Sequence, residues 1–154
     1  MIRLERKALT TFAHPPDIWF RYVDDTFLYM LKEHIQSFLD HLNNQHQRIS
    51  FTIEYEENGE LPFLDTLVKI EEDRSLSTTV YRKKTHTNQY LNYNSNHHAR
   101  QKIGIVSTLK KRVELITKEQ DRIEEEKTLE RAFKACGYPD WVVKRKKKDK
   151  SEIE

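Results

Sequence analysis

The stretch Arg21-Tyr22-Val23-Asp24-Asp25-Thr26-Phe27 restricts the possible folds more than any other part of the chain. Two adjacent carboxylates stand between apolar-aromatic runs, Trp19-Phe20 before and Phe27-Leu28-Tyr29 after. That order reads as strand, tight turn, strand, with strands over 18–23 and 26–31 and the acids at the tip. In turns, Asp side chains commonly do no more than bond nearby backbone N–H groups. A carboxylate pair on a rigid hairpin also suits a hard divalent cation such as Mg2+, which takes oxygen ligands.

The remaining pattern predicts an α+β chain with a helical last third. With only three Gly and four Pro in 154 residues, few breaks interrupt long helices. Residues 3–12 form a short helix stopped by His14-Pro15-Pro16. Ile35, Phe38, Leu39 and Leu42 give 32–46 one apolar helical face. Ile49, Phe51, Ile53 and Tyr55 alternate with polar residues, the pattern of a half-buried strand ending at the Asn58-Gly59 turn. Residues 61–70 and 76–81 read as a second hairpin joined through Glu72-Asp73-Arg74. Val106, Leu109, Val113 and Ile116 share a face of a helix over 97–117. Leu129, Ala132, Phe133 and Cys136 do so over 120–136, with Gly137 as its cap, and Asp140 is placed to N-cap a last short helix from Trp141.

Hydrophobic residues make up 36% and charged residues 34%, which implies a thin core and a large wet surface. The net charge of +2 exerts no strong global pull on nucleic acid, but its distribution is uneven: 144–150 is nearly all basic and 119–130 is rich in acids. A single cysteine excludes an internal disulfide and suits a reducing, intracellular compartment, nucleus or cytoplasm. Its place beside Phe133 on an apolar face points to packing rather than nucleophilic chemistry. No signal peptide or membrane span is visible.

Several motifs together carry a family resemblance. Tyr22-Val23-Asp24-Asp25 resembles the Tyr-x-Asp-Asp box of reverse transcriptases. It is followed in order by Leu61-Pro62-Phe63-Leu64-Asp65, Val80 through Leu91, Ser95-Asn96-His97-His98 and Gly137-Tyr138-Pro139. With Leu4-Glu5-Arg6-Lys7-Ala8-Leu9 leading in, the set is similar to the reverse transcriptases of Penelope-like retroelements over nearly the whole chain. The resemblance implies a partial palm with its metal hairpin and primer-contact region over 1–93, a helical thumb or helix-turn-helix-like segment over 94–140, and a basic tail over 141–154. It implies that Asp24 and Asp25 are catalytic, holding Mg2+ beside a DNA primer on an RNA template, with a dNTP as the incoming substrate. The family takes a further metal-binding aspartate and its fingers from upstream of this box, so the chain alone is expected not to polymerise and to need an upstream polymerase half. Asp65 stands where other reverse transcriptases carry the Gly of a Phe-Leu-Gly signature.

Two further stretches have the chemistry of nucleic-acid contact. Arg82, Lys83, Lys84, Thr85, Asn88 and Tyr90 mix cations, hydroxyl and amide donors with aromatic rings, the groups that hold phosphate and sugar and stack on bases; the plain alternative is a polar connector. Lys102, Lys110 and Lys111, with Arg112, give the helix over 97–117 a basic side. That helix, the next one and the short third one read equally as a thumb or as a helix-turn-helix, while Glu124-Glu125-Glu126 argues against base recognition by the second. His86, His97 and His98 match no standard zinc spacing. The run Lys144 through Lys150 is a nuclear import signal, a nucleic-acid tail or a solvated end.

Three functions follow as expectations: a fragment of an RNA-directed DNA polymerase, a non-catalytic nucleic-acid-binding module, or a poorly folding coding remnant. Exposed apolar residues along the first hairpin further predict marginal stability or self-association.

Overall fold

The computed structural model describes residues 2–144. The basic run beyond Lys144 lies outside them. The fold is mixed α+β and divides at Asn58-Gly59 into two compact units.

The first unit comprises α1 (Ile2–Thr11), the antiparallel pair β1 (Ile18–Tyr22) and β2 (Asp25–Tyr29), a single 3-10 turn Lys32–His34, and α2 (Ile35–Asn43). The strands pair with Phe20 opposite Phe27 and Tyr22 opposite Asp25, leaving Val23-Asp24 as the loop; the expected loop was Asp24-Asp25, and Asp25 instead opens β2. Val23 adopts φ 54°, a left-handed conformation that a β-branched residue enters only under strain. Ala8, Phe38 and Leu42 are the buried centre, with Phe12, Trp19 and Leu28 packed on it. The rings of Phe12 and Trp19 meet Phe38 edge-on, their centroids 5.0 and 5.9 Å from its own. Buried Glu5 of α1 pairs with Arg21 of β1, tying the hairpin to the helix.

The alternation over 49–55 does not produce a strand. Asn43, the last residue of α2, bonds both backbone groups of Phe51: its Oδ1 accepts from Phe51 N–H at 2.6 Å and its Nδ2 donates to the carbonyl at 3.2 Å. A side-chain amide thus stands where a neighbouring strand would, and the segment stays irregular.

The second unit begins with a three-stranded antiparallel sheet, β3 (Glu60–Phe63), β4 (Thr66–Ile70) and β5 (Leu76–Val80), in chain order. The stretch 61–70 is therefore not one strand. It folds back at Leu64-Asp65, with Phe63 opposite Thr66 and Leu64 at φ 54°. Three helices follow: α3 (Ala99–Val113), α4 (Glu119–Ala135) and α5 (Asp140–Val143). The core is contiguous: Val106, Leu109 and Val113 of α3, Ile116 of the turn, Leu129 and Phe133 of α4, then Cys136, Tyr138, Val142 and Val143.

Gly137 ends α4 as its position predicts. It adopts φ 78°, its N–H bonds the Lys134 carbonyl at 3.1 Å, and Tyr138 N–H bonds the Phe133 carbonyl at 3.0 Å. This is the Schellman arrangement, completed by contact of the Tyr138 and Phe133 rings at 5.2 Å. The last helix starts one residue earlier than expected: Pro139 is its N-cap, Asp140 its first residue, and no side chain caps it.

Candidate nucleic-acid interface

The turn between α3 and α4 contains no glycine. It is held from both sides instead. Ile116 is buried in the core, and Thr78 of β5 bonds the turn four times: Thr117 N–H donates to its carbonyl at 3.0 Å, its N–H donates to Thr117 Oγ1 at 3.0 Å, its hydroxyl donates to the Leu115 carbonyl at 2.6 Å, and the two threonine hydroxyls lie 3.0 Å apart. Arg122 donates to the Ile116 carbonyl at 2.9 Å. The two long helices are thereby fixed to one another and to the sheet.

Lys118, the residue before α4, pairs with Glu71 at 2.7 Å. This contact and the Ser77 hydroxyl hold the Glu71 carboxyl below its ordinary pKa, while the bond to Glu71 holds Lys118 above its own. Asp73 is likewise lowered by its bonds to Ser75.

The stretch 82–94 runs along the helices as a strap. Arg82 forms a bidentate pair with Glu125 of α4, and that bond raises the Arg82 pKa. Glu125 is buried. The acidic run Glu124-Glu125-Glu126 therefore has its middle member turned to the inside, and only its flanks are exposed. Tyr90 packs its ring on Phe133 at 5.7 Å, and its N–H points to Cys136 Sγ at 3.4 Å. Cys136 itself is buried. Tyr93 N–H bonds the Cys136 carbonyl at 2.9 Å. Asn92 and Asn94 lie close to Gly137, leaving ordinary contact distance for a Cβ there.

The residues singled out in the sequence consequently divide. Arg82 and Tyr90 are engaged in packing. Lys83, Lys84 and Thr85 are exposed around a turn closed by His86 N–H on the Lys83 carbonyl at 2.8 Å. Asn88, at φ 56°, carries a buried Oδ1 with no partner among the described residues. Lys102 is half-buried, donating to the Ser95 carbonyl at 2.6 Å and lying 5.3 Å above the Tyr93 ring. Arg112 pairs with Asp65 at 2.8 Å, so the residue at the Phe-Leu-Gly-like position anchors the β3–β4 turn to α3. Lys111 is exposed and Lys110 partly so. His98 acts as the N-cap of α3, accepting from Arg100 N–H at 3.1 Å.

Asp24 and Asp25 are both exposed at the tip of the first hairpin. As oxygen donors they are of the type Mg2+ takes, an ion commonly held by one or two carboxylates with waters and substrate phosphates completing its shell. No group of three or more His, Cys, Asp or Glu is placed to hold a metal among the described residues. No helix of these residues is long and apolar enough to cross a membrane.

One surface of the second unit was missed in the sequence. Lys127, Glu130, Arg131 and Lys134 lie at i, i+3, i+4 and i+7 along α4, on the side away from Leu129, Ala132 and Phe133. With Tyr138, Asp140, Val143 and Lys144 they line an open groove of about 580 Å³ between α4 and α5. The i, i+3, i+4, i+7 spacing is legible in the sequence, but the acidic run 124–126 just before it lowers the net charge of the same helix.

Residues 89–148 match the family model of an animal helix-turn-helix domain, a span that takes in the end of the strap and all three helices. No curated protein and no solved structure matches the chain.

Proposed function

We propose that this chain is a non-catalytic nucleic-acid-binding module acting through its second unit. The observation that carries this reading is the coincidence of the helix-turn-helix match at 89–148 with three helices sharing one contiguous core. Lys83, Lys84, Thr85, Lys110 and Lys111 are candidate phosphate contacts, since they are wholly or partly exposed and each such cation can displace condensed counterions from a duplex. Arg82 and Tyr90 support the interface from behind by fixing the strap to α4. The test is fluorescence anisotropy with a short duplex over a salt series. Binding that weakens steeply as salt rises supports the reading; no binding at low salt contradicts it.

A second reading rests on the hairpin whose exposed tip presents Asp24 and Asp25. It takes the chain as part of a retroelement reverse transcriptase, palm followed by thumb, in which the two aspartates hold Mg2+ next to a primer on an RNA template and another segment supplies the remaining ligand. On that reading the chain by itself extends no primer in the presence of Mg2+. Extension that disappears on Asp24→Ala would contradict the inactivity and favour this reading over the first.

A further inference from the structure

The groove between α4 and α5 combines three features. First, its charge is positive: Lys127, Arg131, Lys134 and Lys144 outnumber Glu130 and Asp140. Lys127 and Lys134 make no side-chain bond among the described residues, and Lys144 reaches Asp140 only at 3.5 Å. Second, Arg131 is held in place. Its Nε donates to the Lys127 carbonyl and its Nη2 to Thr128 Oγ1, both at 3.3 Å, so its guanidinium lies along α4. Third, Tyr138 lines the groove at 4% exposure with its ring packed on Phe133 at 5.2 Å, so the wall it supplies is fixed.

We infer that this groove is a phosphate site, in which Lys127, Arg131 and Lys134 neutralise one or two backbone phosphates of a nucleic acid. The inference rests on the nucleic-acid-binding reading and assigns its principal contact to α4 and α5 rather than to the strap or α3. Planar guanidinium beside flexible ammonium groups is a set suited to a phosphate diester. Glu130 and Asp140 line the same groove and lower its positive charge without cancelling it.

The test uses the full chain and a short duplex. The double variant Arg131→Gln/Lys134→Gln, at exposed positions, is expected to lose affinity by roughly tenfold per contact at about 0.1 M salt and to flatten the salt slope by about 2. Arg3→Gln/Lys7→Gln on α1 removes the same charge elsewhere and is expected to change affinity far less. A groove variant that binds with wild-type affinity and slope overturns the inference while leaving the nucleic-acid reading standing, because the wild-type chain still binds. An equal loss in the α1 variant also overturns it, since net charge alone then explains the effect. If the wild-type chain binds no duplex, both statements fail together. Inorganic phosphate that moves the Lys134 and Tyr138 amide signals of a chain that binds no duplex would reassign the groove to a free phosphate and overturn the backbone assignment.

Discussion

The two units solve the same problem with unequal means. In the second, ten buried side chains from α3, α4, α5 and the connecting turns form one cluster. In the first, only Ala8, Phe38 and Leu42 do, while Phe20, Tyr22 and Val23 of the hairpin remain more than 60% exposed. A two-stranded ribbon has two open edges and little independent stability. The first unit thus presents the exposed carboxylates of Asp24 and Asp25 on a thinly supported element. The second displays its cations on helices locked by Thr78, Ile116 and Arg82. A binding surface needs that rigidity, because groups fixed in advance lose less freedom when a ligand arrives.

The largest expected effect separates the units directly. Phe38→Ala should cost roughly 3–5 kcal/mol, most of what a small core can supply. Hydrogen exchange should then show protection lost in α1, β1, β2 and α2 and kept in α3 and α4. Phe133→Ala, a deletion of the same size, should lower protection in α3 and α4 without erasing it. Joint loss of protection in both units after Phe38→Ala would break the comparison.

Next in size is the Arg82–Glu125 pair. Replacing Arg82 by Met leaves the buried Glu125 carboxylate alone and should destabilise the second unit by about 2–3 kcal/mol, somewhat below a fully buried pair because the arginine is partly exposed. Adding Glu125→Met should restore most of the melting temperature. Failure of the double variant to recover would show that the pair fixes the strap in a way that apolar packing does not replace.

Backbone substitutions should act by about 1 kcal/mol each. Val23→Gly removes the strain at φ 54° where the side chain is already exposed, so denaturant melts should show a firmer first unit. Gly104→Ala within α3 meets nothing within 4 Å and should firm the second. A loss of stability from Gly104→Ala would mean that another chain surface approaches that side of α3.

The smallest effect is electrostatic. The folded-state pKa of Glu71 is lowered, so its bond to Lys118 contributes above the ordinary carboxylate pKa of 4.5 and is lost as pH falls through the folded value. The Lys118 pKa is raised, so its share is full below 10.5 and is lost as pH rises through the folded value. Both groups are partly exposed, and Lys118→Gln should therefore shift the acid limb of a pH melt only slightly.

What could be read from the sequence was local. Gly137 announced the end of α4 because only residues tolerant of positive φ sit comfortably there, and the apolar spacing of Val106, Leu109 and Val113 marked the face of α3. The first hairpin followed from the aromatic runs beside Asp24-Asp25, though its loop fell on Val23-Asp24 rather than on the two acids. What could not be read was competition at a distance. Phe51 looked like strand until the Asn43 amide took both of its backbone groups. Arg82 looked like a phosphate contact until Glu125, 43 residues away, occupied its guanidinium. The groove cations are hidden for a related reason: in the sequence 124–126 counts as three surface acids, whereas in the fold its central acid faces inward.

The central claim is that the second unit carries the nucleic-acid contact. It is tested most directly by mapping amide shift changes over the full chain as a short duplex is added at low salt. The account predicts perturbations concentrated in α3, α4 and α5 that fade as salt is raised. Perturbations confined to residues 18–29, or none at all, would contradict it.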